Sequence, residues 1–158
     1  MTVLVAGIGN LFSSDDGFGP EVARRLAEHA PGSEQRVRVV DYGIRGMHLA
    51  YDLLEGYDAL VIVDAVPQGD APGDLTVLQV GPDDLGREDF DPHGMNPVAV
   101  LASLGQLGGT LPATYVVGCR PATTEDGIGL SEPVAAAVPV AVDVVTRLVD
   151  DLLARVEA

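Results

Sequence analysis

Short continuous apolar runs alternate along this chain with segments whose apolar residues recur at helical spacing. A continuous run of β-prone residues is typical of a strand that is buried on both faces of a sheet. The runs predict five strands, which cover Val3 to Ala6, Val37 to Val40, Ala59 to Val63, Leu75 to Val80 and Thr114 to Gly118. Because strands alternate with helices, we expect a doubly wound α/β fold with a mostly parallel sheet and helices on both of its faces.

Helices are predicted after the first two strands, before the fifth strand and at the C-terminal end. The first is expected to end at Pro31-Gly32, and its apolar positions are Phe18, Val22, Ala23, Leu26 and Ala30. The second covers Gly46 to Leu54, with an apolar stripe at Met47, Ala50, Leu53 and Leu54. Asn96-Pro97 begins a third helix, and Ser131 caps a long last helix that Pro139 is expected to kink.

The fourth strand is expected to run antiparallel at an edge of the sheet. Only about ten residues separate Asp64 from this strand, whereas a parallel crossover needs roughly a dozen or more. The alternation over Leu75 to Val80 is weak, which suits an edge position. An antiparallel fourth strand ends at the side of the sheet where the parallel strands begin. The loop from Gly81 to Met95 must therefore return to the side where the parallel strands end, because the helix near Pro97 has to start there to deliver a parallel fifth strand. This return brings His93 to the carboxyl edge of the sheet.

Composition narrows the classes of function. The length of 158 residues, without a linker, favours a single domain over residues 1–158. A formal net charge of -15, with no lysine, would repel a phosphate backbone and argues against a nucleic-acid partner. Cys119 is the only cysteine, and the N-terminus lacks the features of a signal peptide, so we expect a cytoplasmic protein. The most apolar stretch is too short to cross a membrane.

Polar residues that follow the parallel strands should meet at one edge, where doubly wound sheets bind their ligands. The residues that meet this condition are Asp15, Asp16, Asp41, Asp64, Cys119 and, at the end of the long loop, His93. Carboxylates beside one imidazole suit a borderline divalent cation such as zinc or nickel. Ordinary interpretations also exist, in which Asp15 caps the first helix, Asp41 stabilises a turn and His93 is a loop histidine.

A nucleotide site is the main alternative at this edge. The turn Gly7-Ile8-Gly9 resembles the start of a dinucleotide-binding loop, and Asp41 stands where a ribose-binding acid would, but Phe12 replaces the third glycine. Asp15 and Asp16 at the helix N-terminus would repel a pyrophosphate and attract a cation.

Two kinds of catalytic site without a metal are weaker alternatives. Cys119 beside His93 would suit a cysteine nucleophile, although a cysteine after a core strand is more often a small apolar filler. Paired aspartates could instead share a proton, as in aspartic proteases, but this needs a close carboxyl pair.

Five segments of the chain together resemble the hydrogenase maturation proteases. They read VLVAGIGNLFSSDDGFGPEVARRL, VVDYGIRGMHLA, LVIVDAV, DPHGMNPVAVLASL and VVGCRPATTEDGIGLSEPV, in that order, from Val3 to about Ala137. The specific part is G-I-G-N, which is followed after four residues by D-D-G-x-G. Asp64 after the third strand and His93 before the third helix strengthen the resemblance.

The resemblance implies a three-layer α/β/α fold, with a twisted five-stranded sheet, and an endopeptidase activity. Members of this family remove a C-terminal extension from the large-subunit precursor of nickel-iron hydrogenase after nickel insertion. The family's metal-contacting residues fall here on Asp16, Asp64 and His93, which become the expected catalytic and nickel-binding residues. The nickel is carried by the substrate. A nucleotide-binding regulatory domain and a non-catalytic hydrogenase-assembly chaperone remain as alternative functions.

Other positions are expected to support this site or to set the chain apart from its relatives. Asp41, Gly43 and Asn10 are the expected supporting residues. Many relatives have glutamate at the position of Asp16, and the aspartate side chain is shorter than glutamate by one methylene. Ile44 stands where relatives often have threonine, and Arg120 where they often have glutamate. The last two differences predict a subgroup with a substrate of its own.

Overall fold

The computed structural model describes residues 2–28, 36–44, 46–81 and 108–157. Its strands form one sheet in the order β2-β1-β3-β5-β4. They are β1 Val3–Ile8, β2 Val37–Gly43, β3 Ala59–Ala65, β4 Leu75–Val80 and β5 Ala113–Cys119. Parallel pairs join β1 to β2, β1 to β3 and β3 to β5, while β4 is antiparallel to β5 and lies at an edge. The predicted fold class and the reversed fourth strand are thus confirmed.

Helices cover both faces of this sheet. They are α1 Phe18–Glu28, α2 Gly46–Leu53 and α3 Glu132–Glu157, and a 3₁₀ turn, Ser14–Gly17, leads directly into α1. Along β1, Val3 and Val5 point into a core shared with α1 and α3, whereas Leu4 and Ala6 point into a second core with α2. This strict alternation follows from the period of a strand, and it explains why the interior strands are apolar at every position.

The apolar stripe predicted for α2 is partly wrong. Leu49 is fully buried, and Leu54 is 43% exposed, although the prediction had placed Leu54 on the buried side. The reason is that α2 ends at Leu53, so Leu54 falls in the turn that follows and leaves the buried face of the helix. Ala50 and Leu53 are buried as predicted.

The last helix is a single long element. α3 continues through Pro139 without a break, and the kink expected there stays a prediction. No helix within the described ranges is both long enough and apolar enough to span a bilayer. The helix predicted from Asn96-Pro97 and the helix end predicted at Pro31-Gly32 lie outside the described residues.

Candidate active site

The sheet opens between β1 and β3 at its carboxyl edge. The last pair that joins these two strands is Gly7 with Val63. Beyond it, β1 follows β2 as far as Gly43, whereas β3 follows β5 as far as Cys119. After β1 the chain first forms β2 on one side of β1, and it then forms β3 on the other side of β1. Such a switch point is where doubly wound sheets bind ligands.

Gly19, in the first turn of α1, lies directly on the backbone at this opening. A Cβ atom at this position would be 2.3 Å from the carbonyl oxygens of both Ile8 and Val63, which no real contact allows. The missing side chain therefore lets the N-terminal end of α1 rest on the ends of both strands. The 3₁₀ turn before α1 contacts β3 as a result. The sequence thus brings the turn that carries Asp16 to the opening.

Asp16 lies half-buried in this turn, and its carboxylate closes the loop that precedes it. Asp16 Oδ2 accepts a hydrogen bond from the Asn10 N–H at 2.9 Å. Gly9 makes the closure possible, because it has a φ of 147° and a Cβ there would lie 1.8 Å from the Asp16 carbonyl oxygen. Asn10 thus orients one oxygen of Asp16 at the carboxyl edge of the sheet.

Asp64 reaches the same edge from the neighbouring strand. It follows Val63, the last residue of β3 that pairs with β1, so it stands beside the opening. Its side chain is only 8% exposed, and Oδ1 accepts a hydrogen bond from the Ala65 N–H at 2.8 Å. Two carboxylates on the flanks of one opening lower the electrostatic potential there, and this favours a cation.

The third residue expected at this site is His93. It lies outside the described residues. Within the ranges that the structure describes, no three His, Cys, Asp or Glu residues are grouped so that they would hold a metal ion. The described part of the expected site is therefore the pair Asp16 and Asp64, and the metal role of all three residues stays a prediction.

Asp15 does not cap α1, and that expectation was wrong. The side chain is 0% exposed and turns towards the loop before α3. Oδ1 accepts a hydrogen bond from the Ser131 N–H at 2.6 Å, and Oδ2 accepts from the N–H groups of Ala122 and Thr123 and from the Ser131 hydroxyl. Burial alone would raise the pKa of Asp15, but these four bonds hold the pKa below its ordinary value.

The role of Asp15 was missed because its partners lie 107 to 116 residues away in the sequence. A helix cap is a local pattern, and an acidic residue just before a helix imitates it. One local signal was nevertheless available. Adjacent side chains in a 3₁₀ turn point roughly 120° apart, so only one of Asp15 and Asp16 can face the opening.

Asp41 stabilises the end of β2, where the chain turns, in line with its ordinary interpretation. Its Oδ1 accepts a hydrogen bond from the Gly43 N–H at 2.9 Å. Gly43, with a φ of 56°, in turn accepts a hydrogen bond from the Gly9 N–H at 3.0 Å through its carbonyl oxygen. Asp41 and Gly43 thus hold the start of the loop that carries Asp16, and their contribution to activity stays a prediction.

The glycine turn after β1 is not arranged to bind an anion. A phosphate-binding loop directs several backbone N–H groups at its ligand. Here the N–H groups of the loop donate to acceptors within the protein, and Asp16 itself occupies one of them. The residues that donate in this way are Gly9, Asn10, Phe12, Ser13, Ser14, Asp15 and Asp16. The nucleotide alternative therefore loses its structural basis.

Cys119 is a small apolar filler at the end of β5. Its side chain is 1% exposed and is a free thiol. Burial, reinforced by the nearby charges of Asp15 and Asp74, raises the pKa of the Cys119 thiol to about 11. Since the nucleophile is the thiolate, this environment disfavours a catalytic cysteine.

Arg120, one of the positions that differ from relatives, has a structural role. Its guanidinium donates hydrogen bonds to the carbonyl oxygens of Pro67 and Gly69, and its backbone N–H donates to the carbonyl oxygen of Asp74. Arg120 therefore ties the connection between β3 and β4 to the end of β5. Ile44, the other position, is 63% exposed.

The strand order, the opening at the switch point and the two carboxylates beside it define a doubly wound α/β protein with an acidic site at its sheet edge. A sequence model of the hydrogenase maturation protease family matches residues 20–148 of the chain. The chain is also 36% identical over 138 residues to the hydrogenase expression/formation protein HupD of Rhodobacter capsulatus. That match covers 85% of this chain and 64% of the relative. The chain belongs to the hydrogenase maturation protease family.

Solved structures agree with this assignment. The hydrogenase maturating endopeptidase HybD of Escherichia coli is similar with a TM-score of 0.80 and 29% identity, over 96% of this chain and 93% of that one. A hydrogenase 2 maturation peptidase from a Thaumarchaeota archaeon is similar with a TM-score of 0.72 and 32% identity, over 95% and 99% of the two chains. The three-layer α/β/α fold that the sequence predicted is thus the fold of these endopeptidases.

Proposed function

We propose that this protein is an endopeptidase that removes a C-terminal extension from the large-subunit precursor of a nickel-iron hydrogenase. The precursor carries the nickel, and Asp16, Asp64 and His93 recognise it. The proposal includes a cytoplasmic location, which suits a chain with a single, reduced cysteine. Family membership supports the reaction class, and the similar endopeptidases of known structure support it further.

The observation that carries the proposal is the convergence of Asp16 and Asp64 on the opening between β1 and β3. Asp16 arrives through the turn that Gly19 allows to rest on the strand ends, and Asp64 arrives at the end of β3. Carboxylate oxygens suit nickel as ligands, and an imidazole from His93 would complete a mixed O and N donor set. Each aspartate already has one oxygen oriented by a backbone N–H, which limits the reorganisation needed on binding.

The reaction follows from holding the nickel of the precursor at this opening. The peptide bond next to the nickel is then held in one place, and such positioning can contribute several kcal/mol to catalysis. Water adds to the acyl carbon, the C–N bond breaks, and the released amine takes up the proton. The substrate nickel would polarise the carbonyl or the attacking water, and an aspartate would accept the proton from that water. Cleavage is thereby linked to the presence of nickel.

The test is to incubate nickel-loaded precursor with the protein and to follow the mass of the precursor. The wild type is expected to shorten it, whereas Asp16→Asn, Asp64→Asn and His93→Ala should remain folded and lose most of the activity. Asp16→Glu should retain activity, because it keeps the carboxylate that many relatives have there. Asp143→Asn is the matched control, since Asp143 is an exposed carboxylate on α3.

Two results would contradict the proposal. Full cleavage by both Asp16→Asn and His93→Ala would remove the role of these residues in nickel recognition. A wild-type protein that binds the loaded precursor and leaves its mass unchanged would instead be an assembly chaperone.

A further inference from the structure

Three large apolar side chains are exposed on or beside residues 9–17, the loop that carries Asp16, which we call the site loop. Leu11 is 51% exposed, Phe12 69% and Ile128 84%, and we call these three residues the apolar ridge. Isolated exposed apolar residues are common, but neighbouring ones on a protein surface mark interaction sites.

The backbone under Leu11 and Phe12 is a tight and well-bonded turn. The Ser13 N–H donates to the Asn10 carbonyl oxygen at 3.1 Å, and the Phe12 N–H donates to the Asn10 side-chain oxygen at 2.9 Å. Leu11 and Phe12 therefore occupy the two central positions of the turn, where glycine, proline and polar residues are usual. The turn fixes both apolar side chains at an exposed tip, two residues or less from the Asn10 N–H that binds Asp16.

The loop that carries Ile128 is fastened beside this turn. The Gly127 N–H donates to the Phe12 carbonyl oxygen at 2.9 Å, and the Ser14 N–H donates to the Gly127 carbonyl oxygen at 3.0 Å. The Ser14 hydroxyl also donates to the Glu125 carbonyl oxygen at 2.8 Å. These bonds bring Ile128 next to Phe12 on a backbone that is already ordered. A partner would bind such a surface without the entropic loss of ordering a mobile loop.

We propose that the apolar ridge docks the segment of the hydrogenase precursor next to the cleaved bond, and that this segment combines large apolar side chains with arginine or lysine. The proposal rests on the proposed function and assigns the surface that selects the substrate of that site. Asn10 links the ridge to the site, because its N–H donates to Asp16 and its side-chain oxygen accepts from the Phe12 N–H, so a peptide held at the opening between β1 and β3 would pass close to the ridge.

The charge of the two loops specifies the basic character of the partner. Residues 9–17 and 121–131 include four carboxylates and no Lys, Arg or His. Asp15 is used internally and Asp16 lies at the opening, while Glu125 and Asp126 are exposed within two or three residues of Ile128. A basic segment would gain from this field, and an acidic one would be repelled.

The experiment compares Phe12→Ser and Ile128→Ser, singly and together, with Tyr51→Ser and Val140→Ser. The control residues are 54% and 53% exposed, and they lie on α2 and α3 rather than on either loop. With nickel-loaded precursor, the ridge variants should raise KM about tenfold and leave kcat within about twofold, as for a contact made equally in ground and transition states. The controls should change neither. Thermal unfolding monitors the fold of each variant.

Binding to the nickel-free precursor separates this inference from the proposed function. This precursor is not expected to be cut, so its dissociation constant reports docking alone, and the ridge variants should weaken it about tenfold. If the ridge variants bind the nickel-free precursor more weakly, but the wild type does not cleave the loaded precursor, the proposed function is contradicted and the ridge is upheld. Unchanged KM and binding in the double ridge variant would overturn the ridge. It would also be overturned if the substitutions only dissociated a dimer of this chain, as seen by sedimentation.

Discussion

Replacing Asp15 by asparagine tests how the site loop is held. The substitution keeps the size of the side chain but removes its charge and turns one oxygen into an NH₂ group. In the better orientation, the amide oxygen takes the place of Oδ2 and keeps the donors Ala122, Thr123 and the Ser131 hydroxyl. The NH₂ group then faces the Ser131 N–H across a gap of 2.6 Å, so two donors meet.

The size of the effect follows from these contacts. A hydrogen bond to a charged group contributes about 1.5–3 kcal/mol and a neutral one about 0.5–1.5 kcal/mol. The variant loses one charged bond outright and weakens three by roughly 1 kcal/mol each. It also no longer has to bury a charge, which offsets part of the loss. We expect a net destabilisation of about 2–4 kcal/mol, which for a chain of this length lowers Tm by roughly 5–15 °C.

The assay is thermal and urea unfolding followed by circular dichroism at pH 7, with Asp143→Asn as the surface control. That control should stay within about 0.5 kcal/mol of the wild type. Ser131→Ala completes a double-mutant cycle, in which we expect a coupling of at least about 0.5 kcal/mol with Asp15→Asn. An Asp15→Asn protein that unfolds within about 1 °C of the wild type would refute the conclusion that this buried carboxylate fastens the loop.

Three further outcomes are expected. Gly19→Ala should destabilise the protein by about 2 kcal/mol or more, although alanine favours helices, because its Cβ would meet two carbonyl oxygens. Gly17→Ala is the control, because the nearest atom to its Cβ would be the movable Leu11 Cδ2 at 3.3 Å and its backbone neighbours lie at 3.4 Å or more. Equal stability of the two variants in urea would contradict this expectation. Cys119 should react with a thiol reagent at pH 8 only after unfolding in guanidinium. With a pKa of about 11, only about one native molecule in a thousand carries the thiolate at this pH. Fast labelling of the native protein would count against the burial of Cys119. Calorimetry should show no saturable heat with ATP or NAD, since the site loop uses its own N–H groups, and micromolar binding would restore the nucleotide alternative.

The fold was predictable because its determinants are periodic and local. The apolar runs gave the strands of the sheet, and the short link after Asp64 correctly required an antiparallel β4. The same reasoning predicted that Asp16 and Asp64 would follow neighbouring strands at one edge. It failed for Leu54 because the end of α2, rather than the apolar spacing, decides which residue leaves the buried face.

The function of Asp15 was beyond such reasoning, because its partners belong to a loop near the other end of the chain. A sequence with two adjacent aspartates before a helix does not state which one will be buried. Likewise, the exposed positions of Phe12 and Ile128 follow from backbone bonds between two distant loops, and apolar residues alone would have been assigned to a core.

The link between Asp15 and Ser131 also limits how early during synthesis the turn before α1 can reach its final structure. The two residues are 116 positions apart, so at ordinary translation rates the ribosome needs on the order of ten seconds to make the second after the first. For most of that interval β1 and α1 have already been made, but the Asp15 carboxylate has none of its four donors, and burying it would be strongly unfavourable. The turn that presents Asp16 is therefore completed only after the start of α3 has emerged. The turn that carries Asp16 therefore stays incomplete in a nascent chain until this late segment has been synthesised.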